Sequence, residues 1–97
     1  MTAYVVVNFT VTDPAGLAAY GGPARTSLLA HGAEILAVDM ASEPLEGKPE
    51  RATVIVRFAS KDAAHAWYDS DDYKAVRHLR LDNSQGVAMI CEGFPST

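Results

Sequence analysis

Cysteine is nearly absent. Cys91 stands alone among 97 residues, so no intrachain disulfide can form. It alternates with Val87 and Met89 in an apolar run, which reads as a small buried hydrophobe rather than a nucleophile. Positive charge is scarce too: eight Lys and Arg face twelve Asp and Glu, for a net charge of −4. The basic residues are scattered, whereas phosphate-backbone partners require clustered ones, so no nucleic acid is expected. Long hydrophobic runs are also missing. The opening MTAYVVVNFTV has no basic leader, and its apolar stretch is too short for a signal sequence or a span. The expectation is a cytoplasmic chain with no membrane partner.

Several catalytic motifs are missing as well. No glycine-rich phosphate loop follows a strand, because Gly21-Gly22 falls inside a helical stretch. There is no GxSxG elbow. His31, His65 and His78 lack partners at metal-ligand spacing, and the one i, i+4 pair, His65 with Asp69, is common by chance. Neither a metal nor a bound cofactor is expected.

What remains is an ordinary globular composition, 48% hydrophobic and 21% charged, which excludes disorder and fits one domain over residues 1–97. Tyr4 to Val11 is β-branched and aromatic, with Val5, Val7, Phe9 and Val11 wholly apolar, and reads as a strand. Asp13-Pro14 opens a helix carrying Leu17, Tyr20, Ala24, Leu28 and His31, closed by Gly32. Gly22-Pro23 inside it predicts a kink or break. Ala33 to Ala41 sets Leu36, Val38 and Met40 against Ile35, Ala37 and Asp39, a second strand. The turn-rich EPLEGKPE connects it to RATVIVRF, whose Ala52, Val54, Val56 and Phe58 share a face. Ser60 caps the next helix, and Ser70-Asp71-Asp72 signals a restart, so Lys61 to Leu81 reads as two short helices. GVAMICEG forms the last strand. The order β-α-β-β-α-β is the split βαβ arrangement, an α+β ferredoxin-like class with helices on one sheet face.

The other sheet face then holds Tyr4, Val6, Asn8, Ile35, Thr53, Ile55 and Arg57, with Ala88 and Ile90. Such a surface is too apolar to stay wet and too polar for a plain core. A homodimer with these faces turned together covers it and leaves a chamber for the polar members to line.

The stretches YVVVNFTVTDP, AAYGGPA with Tyr20, AHGAEILA, LEG, VIVRFASKDAAHAWYDSDDY and HLR follow one another nearly end to end. In these the chain resembles the family called domain of unknown function 1330, of the dimeric α/β-barrel superfamily. Phe58 to Tyr73 is the most specific, with an aromatic pair, an acidic serine-containing turn and a tyrosine. The resemblance implies a ferredoxin-like fold and a homodimer with facing sheets, and it assigns no activity. Cofactor-independent oxygenases, haem-degrading enzymes, lactone isomerases and ligand sensors share the superfamily, so no reaction is borrowed from it. One departure is Ala33, where the family shows a second glycine after the histidine.

The stretch AHAWYDSDDYKAVRHLR concentrates the candidate residues. Trp67 reads as sheet packing or as a pocket wall. Tyr68 points about a hundred degrees away from it, so the two rings serve different places. Tyr73 and Arg80 share a helix face and either line a ligand site or make interface and capping contacts, with Arg80 suited to a carboxylate. His31 either complements a helix C-terminus or moves a proton. His65 and His78 read as solvated. Tyr4, Asn8 and Arg57 either orient a small molecule or complete a polar network at the interface.

Two functions follow. One is an enzyme without metal that acts on a small organic acid or oxygenated aromatic between the sheet and the second helical region. There His31 or Tyr73 would move the proton. The other is a non-catalytic, ligand-binding accessory dimer. A haem-binding variant rests only on superfamily analogy.

Overall fold

The computed structural model describes residues 1–95. Eight elements follow in order: β1 (Ala3–Val11), α1 (Pro14–Leu17), α2 (Gly21–Ala30), β2 (Glu34–Asp39), β3 (Ala52–Phe58), α3 (Lys61–Tyr68), α4 (Asp71–Asp82) and β4 (Ser84–Glu92). The strands form one antiparallel sheet in the order β2-β3-β1-β4, with the helices on one face. Among the described residues no helix is long and apolar enough to cross a membrane.

Side-chain caps set the helix starts. Asp13 Oδ1 accepts from the N–H groups of Ala15 and Gly16 at 3.1 and 3.2 Å. Ser60 Oγ accepts from Ala63 N at 3.0 Å. Ser70 Oγ accepts from Tyr73 N at 3.3 Å and donates back to Trp67 O at 2.6 Å, so one hydroxyl ends α3 and begins α4. Each cap satisfies donors that a helix leaves free at its start.

The break expected near Gly22-Pro23 lies slightly upstream, between Leu17 and Gly21. The chain restarts at Gly21, which puts Pro23 in the first turn of α2, where its missing N–H has no helical acceptor to lose. Gly32, at φ 73°, closes α2 in the left-handed conformation that a helix stop favours.

Two strand readings are corrected by the pairing. Val5 lies opposite Ile90 and Val7 opposite Ala88, so Ala88 and Ile90 face the helices. Val87, Met89 and Cys91, paired with Asn8, Val6 and Tyr4, therefore share the open face, and Cys91 is exposed rather than buried. In β2 the register slips between Ile35 and Ala37. That bulge puts Ile35, opposite Val56, on the helix side together with Val38, opposite Val54. The open face thus comprises Tyr4, Val6, Asn8, Thr53, Ile55, Arg57, Val87, Met89 and Cys91.

The core gathers Val5, Leu28, Val56, Phe58, Trp67 and Tyr73 where α2, α3 and α4 lie over the middle strands. The molecule measures 42 × 36 × 15 Å, the thickness of one sheet and one helical layer.

Candidate functional site

A cavity of about 910 Å³ lies between the helices and the sheet. Its floor is the apolar parity of the strands: Val5, Val7 and Phe9 of β1 and Val54 and Val56 of β3. Ile35, Val38 and Met40 extend it toward the β2 edge, and Val38 and Met40 are exposed because no helix reaches over them. The roof comes from Tyr20 and α2 on one side and from α3 and α4 on the other.

Aromatic side chains set the roof. Trp67 projects from the buried face of α3, 4% exposed, with its ring centroid 4.1 Å from that of Tyr73 and 5.6 Å from that of Phe58. Its Nε1 donates to Ser27 Oγ of α2 at 3.0 Å, and Ser27 donates on to Ala24 O at 2.8 Å. The indole therefore packs and lines the cavity at once, joining the two expectations for it. Tyr68, one residue on, meets Trp67 edge-on at 6.0 Å. The Arg77 guanidinium lies 4.5 Å over the Tyr68 ring and donates to Tyr68 O at 3.1 Å, which fixes the end of α3.

The polar wall is a chain of three side chains from two regions far apart in sequence. Tyr20 Oη and Tyr73 Oη lie 2.7 Å apart, and Arg80 Nε donates to Tyr73 Oη at 3.3 Å. Tyr73 is 1% exposed and Arg80 9%, while Tyr20 is only half-buried and opens onto the cavity. No carboxylate pairs with Arg80 among the described residues. Burial works to lower the Arg80 pKa, but the hydrogen bond to Tyr73 and the surrounding phenols outweigh it and raise the value. The guanidinium thus keeps its charge in apolar surroundings. Burial raises the Tyr20 pKa well above its ordinary value, and Tyr73 adds to the effect, so Tyr20 stays a neutral phenol.

The structure brings Trp67, Tyr68, Tyr73 and Arg80 together around the cavity. It places the remaining candidates elsewhere. His31 ends α2, outside the cavity lining, with Nε2 3.3 Å from Asp72 Oδ1 at the start of α4. Tyr4, Asn8 and Arg57 lie on the open sheet face. Arg57 pairs there with Glu34 of the neighbouring strand. Asn8 holds the β2–β3 connector: its Nδ2 donates to Glu50 O at 3.0 Å and Ala52 O at 2.9 Å, and its Oδ1 accepts from Glu50 N at 2.8 Å. Thr10 adds a bond to the Glu50 carboxylate at 2.7 Å. Among the described residues, no three His, Cys, Asp or Glu side chains gather into a metal-binding group.

Tyr20 had no assigned role in the sequence beyond its helical stripe. Its signal was position: it falls between α1 and α2, where a helix end turns a side chain inward.

The family described as domain of unknown function (DUF1330) matches residues 2–94. The chain belongs to this family. Solved structures share its fold at low identity. A protein of unknown function from Rhodopseudomonas palustris has a TM-score of 0.69 at 13% identity, covering 91% of this chain and 80% of its own. SnoaB from Streptomyces nogalater, a cofactor-independent oxygenase, has a TM-score of 0.70 at 11% identity, covering 98% and 95%. A dimeric protein of unknown function and ferredoxin-like fold from Bacteroides fragilis has a TM-score of 0.58 at 11% identity, covering 95% and 96%. These likenesses bear out the α+β ferredoxin-like class. No curated protein matches the sequence.

Proposed function

We propose that this member of the DUF1330 family binds a small organic acid or oxygenated aromatic in the cavity and acts on one of its oxygens by proton transfer. The observation that carries this reading is the Arg80–Tyr73–Tyr20 chain in the wall of a mainly apolar cavity. Arg80 donates to Tyr73, whose hydroxyl shares a hydrogen bond with that of Tyr20, and in the proposed bound state Tyr73 turns to donate to Tyr20. The Tyr20 hydroxyl proton is then free to point at the ligand. A neutral phenol backed by a fixed cation suits a carbonyl or enol oxygen on which negative charge develops, because preorganised donors need not reorient during the reaction. In this scheme Tyr20 touches the substrate, Tyr73 positions Tyr20, and Arg80 braces Tyr73 through Nε while the rest of its guanidinium stays available to an acidic group of the ligand. Trp67 and Tyr68 supply flat surface for an aromatic or unsaturated body. The likeness in fold to a cofactor-independent oxygenase supports reading the cavity as an enzymatic site.

The test is incubation with a panel of aromatic and keto acids, followed by NMR, for the wild type and for Tyr20→Phe. Conversion that falls at least about tenfold in Tyr20→Phe, with ligand binding retained, supports proton transfer. Binding without product from any panel member would instead make the protein a ligand-binding accessory protein.

We further infer a homodimer formed through the open sheet face. The 15 Å thickness leaves that face without a second layer, and Val87 and Met89 on it are 57% and 47% exposed. The dimeric state of the Bacteroides fragilis protein of like fold supports a dimer.

A further inference from the structure

We propose that the cavity selects a ligand with an anionic group at each end, one held at depth by Arg80 and one at the mouth by Arg25 and Lys61, with His65 beside them. The proposal rests on the cavity being the ligand site. Its ground is a charge asymmetry. The charged and titratable groups that line the cavity, apart from its tyrosines, are Arg25, Lys61, His65 and Arg80. Among the described residues no carboxylate lines it, although the chain carries twelve Asp and Glu against eight Lys and Arg. Of its charged residues, an acidic protein has thus placed only basic ones around this hollow.

None of these groups is neutralised from within. The ion pairs among the described residues are His31 with Asp72, Arg57 with Glu34, and Arg77 with Asp69. Arg25, Lys61, His65 and Arg80 take part in none of them.

Burial separates the four into two levels. Arg80, from the last turn of α4, is 9% exposed, and its one side-chain partner is the Tyr73 hydroxyl. A guanidinium so placed is costly until it meets an anion. Arg25 of α2 and Lys61 and His65 of α3 are exposed residues at the cavity mouth. Lys61 and His65, four residues apart, share one side of α3. Each is weak alone in water, but several charges of one sign around a cleft with apolar walls draw in an anion collectively. The lining also includes Phe9, Val54 and Trp67, which fit an apolar body. A volume of about 910 Å³ admits a body of two or more rings. The chemistry named is a rigid, mainly aromatic dicarboxylate or its equivalent.

The experiment is calorimetric titration of the whole protein with two probes of the same body, naphthalene-2-carboxylate and naphthalene-2,6-dicarboxylate. The dicarboxylate is expected to bind roughly five- to tenfold tighter, the worth of one or two screened charge contacts. In Arg25→Gln/Lys61→Gln that advantage disappears, so that the two probes bind with similar affinity. Both sites are exposed, so the variant should fold, which near-ultraviolet circular dichroism checks. Arg80→Gln weakens both probes. Equal affinity for the two probes in the wild type, or an advantage that survives in the double variant, overturns the two-ended selection and leaves the cavity standing as a ligand site. Absence of binding by both probes overturns this proposal and the cavity reading together.

Discussion

At the scale of single residues, the Tyr20–Tyr73–Arg80 chain makes the protein's stability depend on alkaline pH. The Tyr20 pKa is raised above the ordinary 10.0, first by burial and then by Tyr73. Below pH 10 the phenol is protonated in both the folded and unfolded states, and its contribution is complete. Above it the unfolded chain ionises first, so the contribution is lost as pH rises. Urea unfolding should show stability falling above about pH 10, and Tyr20→Phe should flatten that fall. An unchanged pH curve in the variant would remove Tyr20 from the titration. The sequence showed half of this site. Trp67, Tyr68, Tyr73 and Arg80 sit within fourteen residues, and local spacing sufficed to group them. Tyr20 lies 53 residues from Tyr73, and no local pattern links two residues at that separation. Asn8 shows the converse. A lone amide in an apolar strand suggested ligand contact or an interface network, whereas its bonds go to the chain's own Glu50 and Ala52.

Among the elements, the strands differ in how much of their placement could be read. β1 and β3 carry a clean apolar parity, so their faces were legible from alternation. β4 is not legible in this way: Val87, Ala88, Met89, Ile90 and Cys91 are apolar at both parities, and only pairing with β1 sets their phase. In β2 the alternation was real but was interrupted by the bulge after Ile35, a backbone event that side-chain identity does not announce. The helix starts were legible because Asp13, Ser60 and Ser70 cap by local hydrogen bonds. Pairing of β4 also fixes a glycine. Gly86 adopts φ 153°, and a Cβ there would lie 2.1 Å from Asn8 O and 2.6 Å from Phe9 Cα, both backbone atoms. Gly86→Ala should therefore cost at least about 2 kcal/mol, measured by chemical denaturation, because neither neighbour can rotate away. A neutral result would mean that β4 does not approach β1 as described.

For the molecule as a whole, the proposed homodimer rests on the open face. A stable pair of subunits removes about 800 Å² from each partner, and a flat face of one sheet is large enough to supply it. Placing like charges across a twofold axis opposes such a contact, so Met89→Glu should shift sedimentation toward the monomer while leaving far-ultraviolet circular dichroism unchanged. A wild-type protein that already sediments as a monomer at micromolar concentration would refute the pairing. The two-residue alternation of a strand also has a consequence for how this protein can change. Val5, Val7 and Val54 belong to the cavity, and Val6, Ile55 and Val87 to the opposite surface, with only backbone in common. Losses from Val7→Ala and Val87→Ala should therefore sum in the double variant to within about 0.5 kcal/mol. Tailoring to a new substrate and remodelling of self-association can then proceed as separate evolutionary experiments, neither constraining the other.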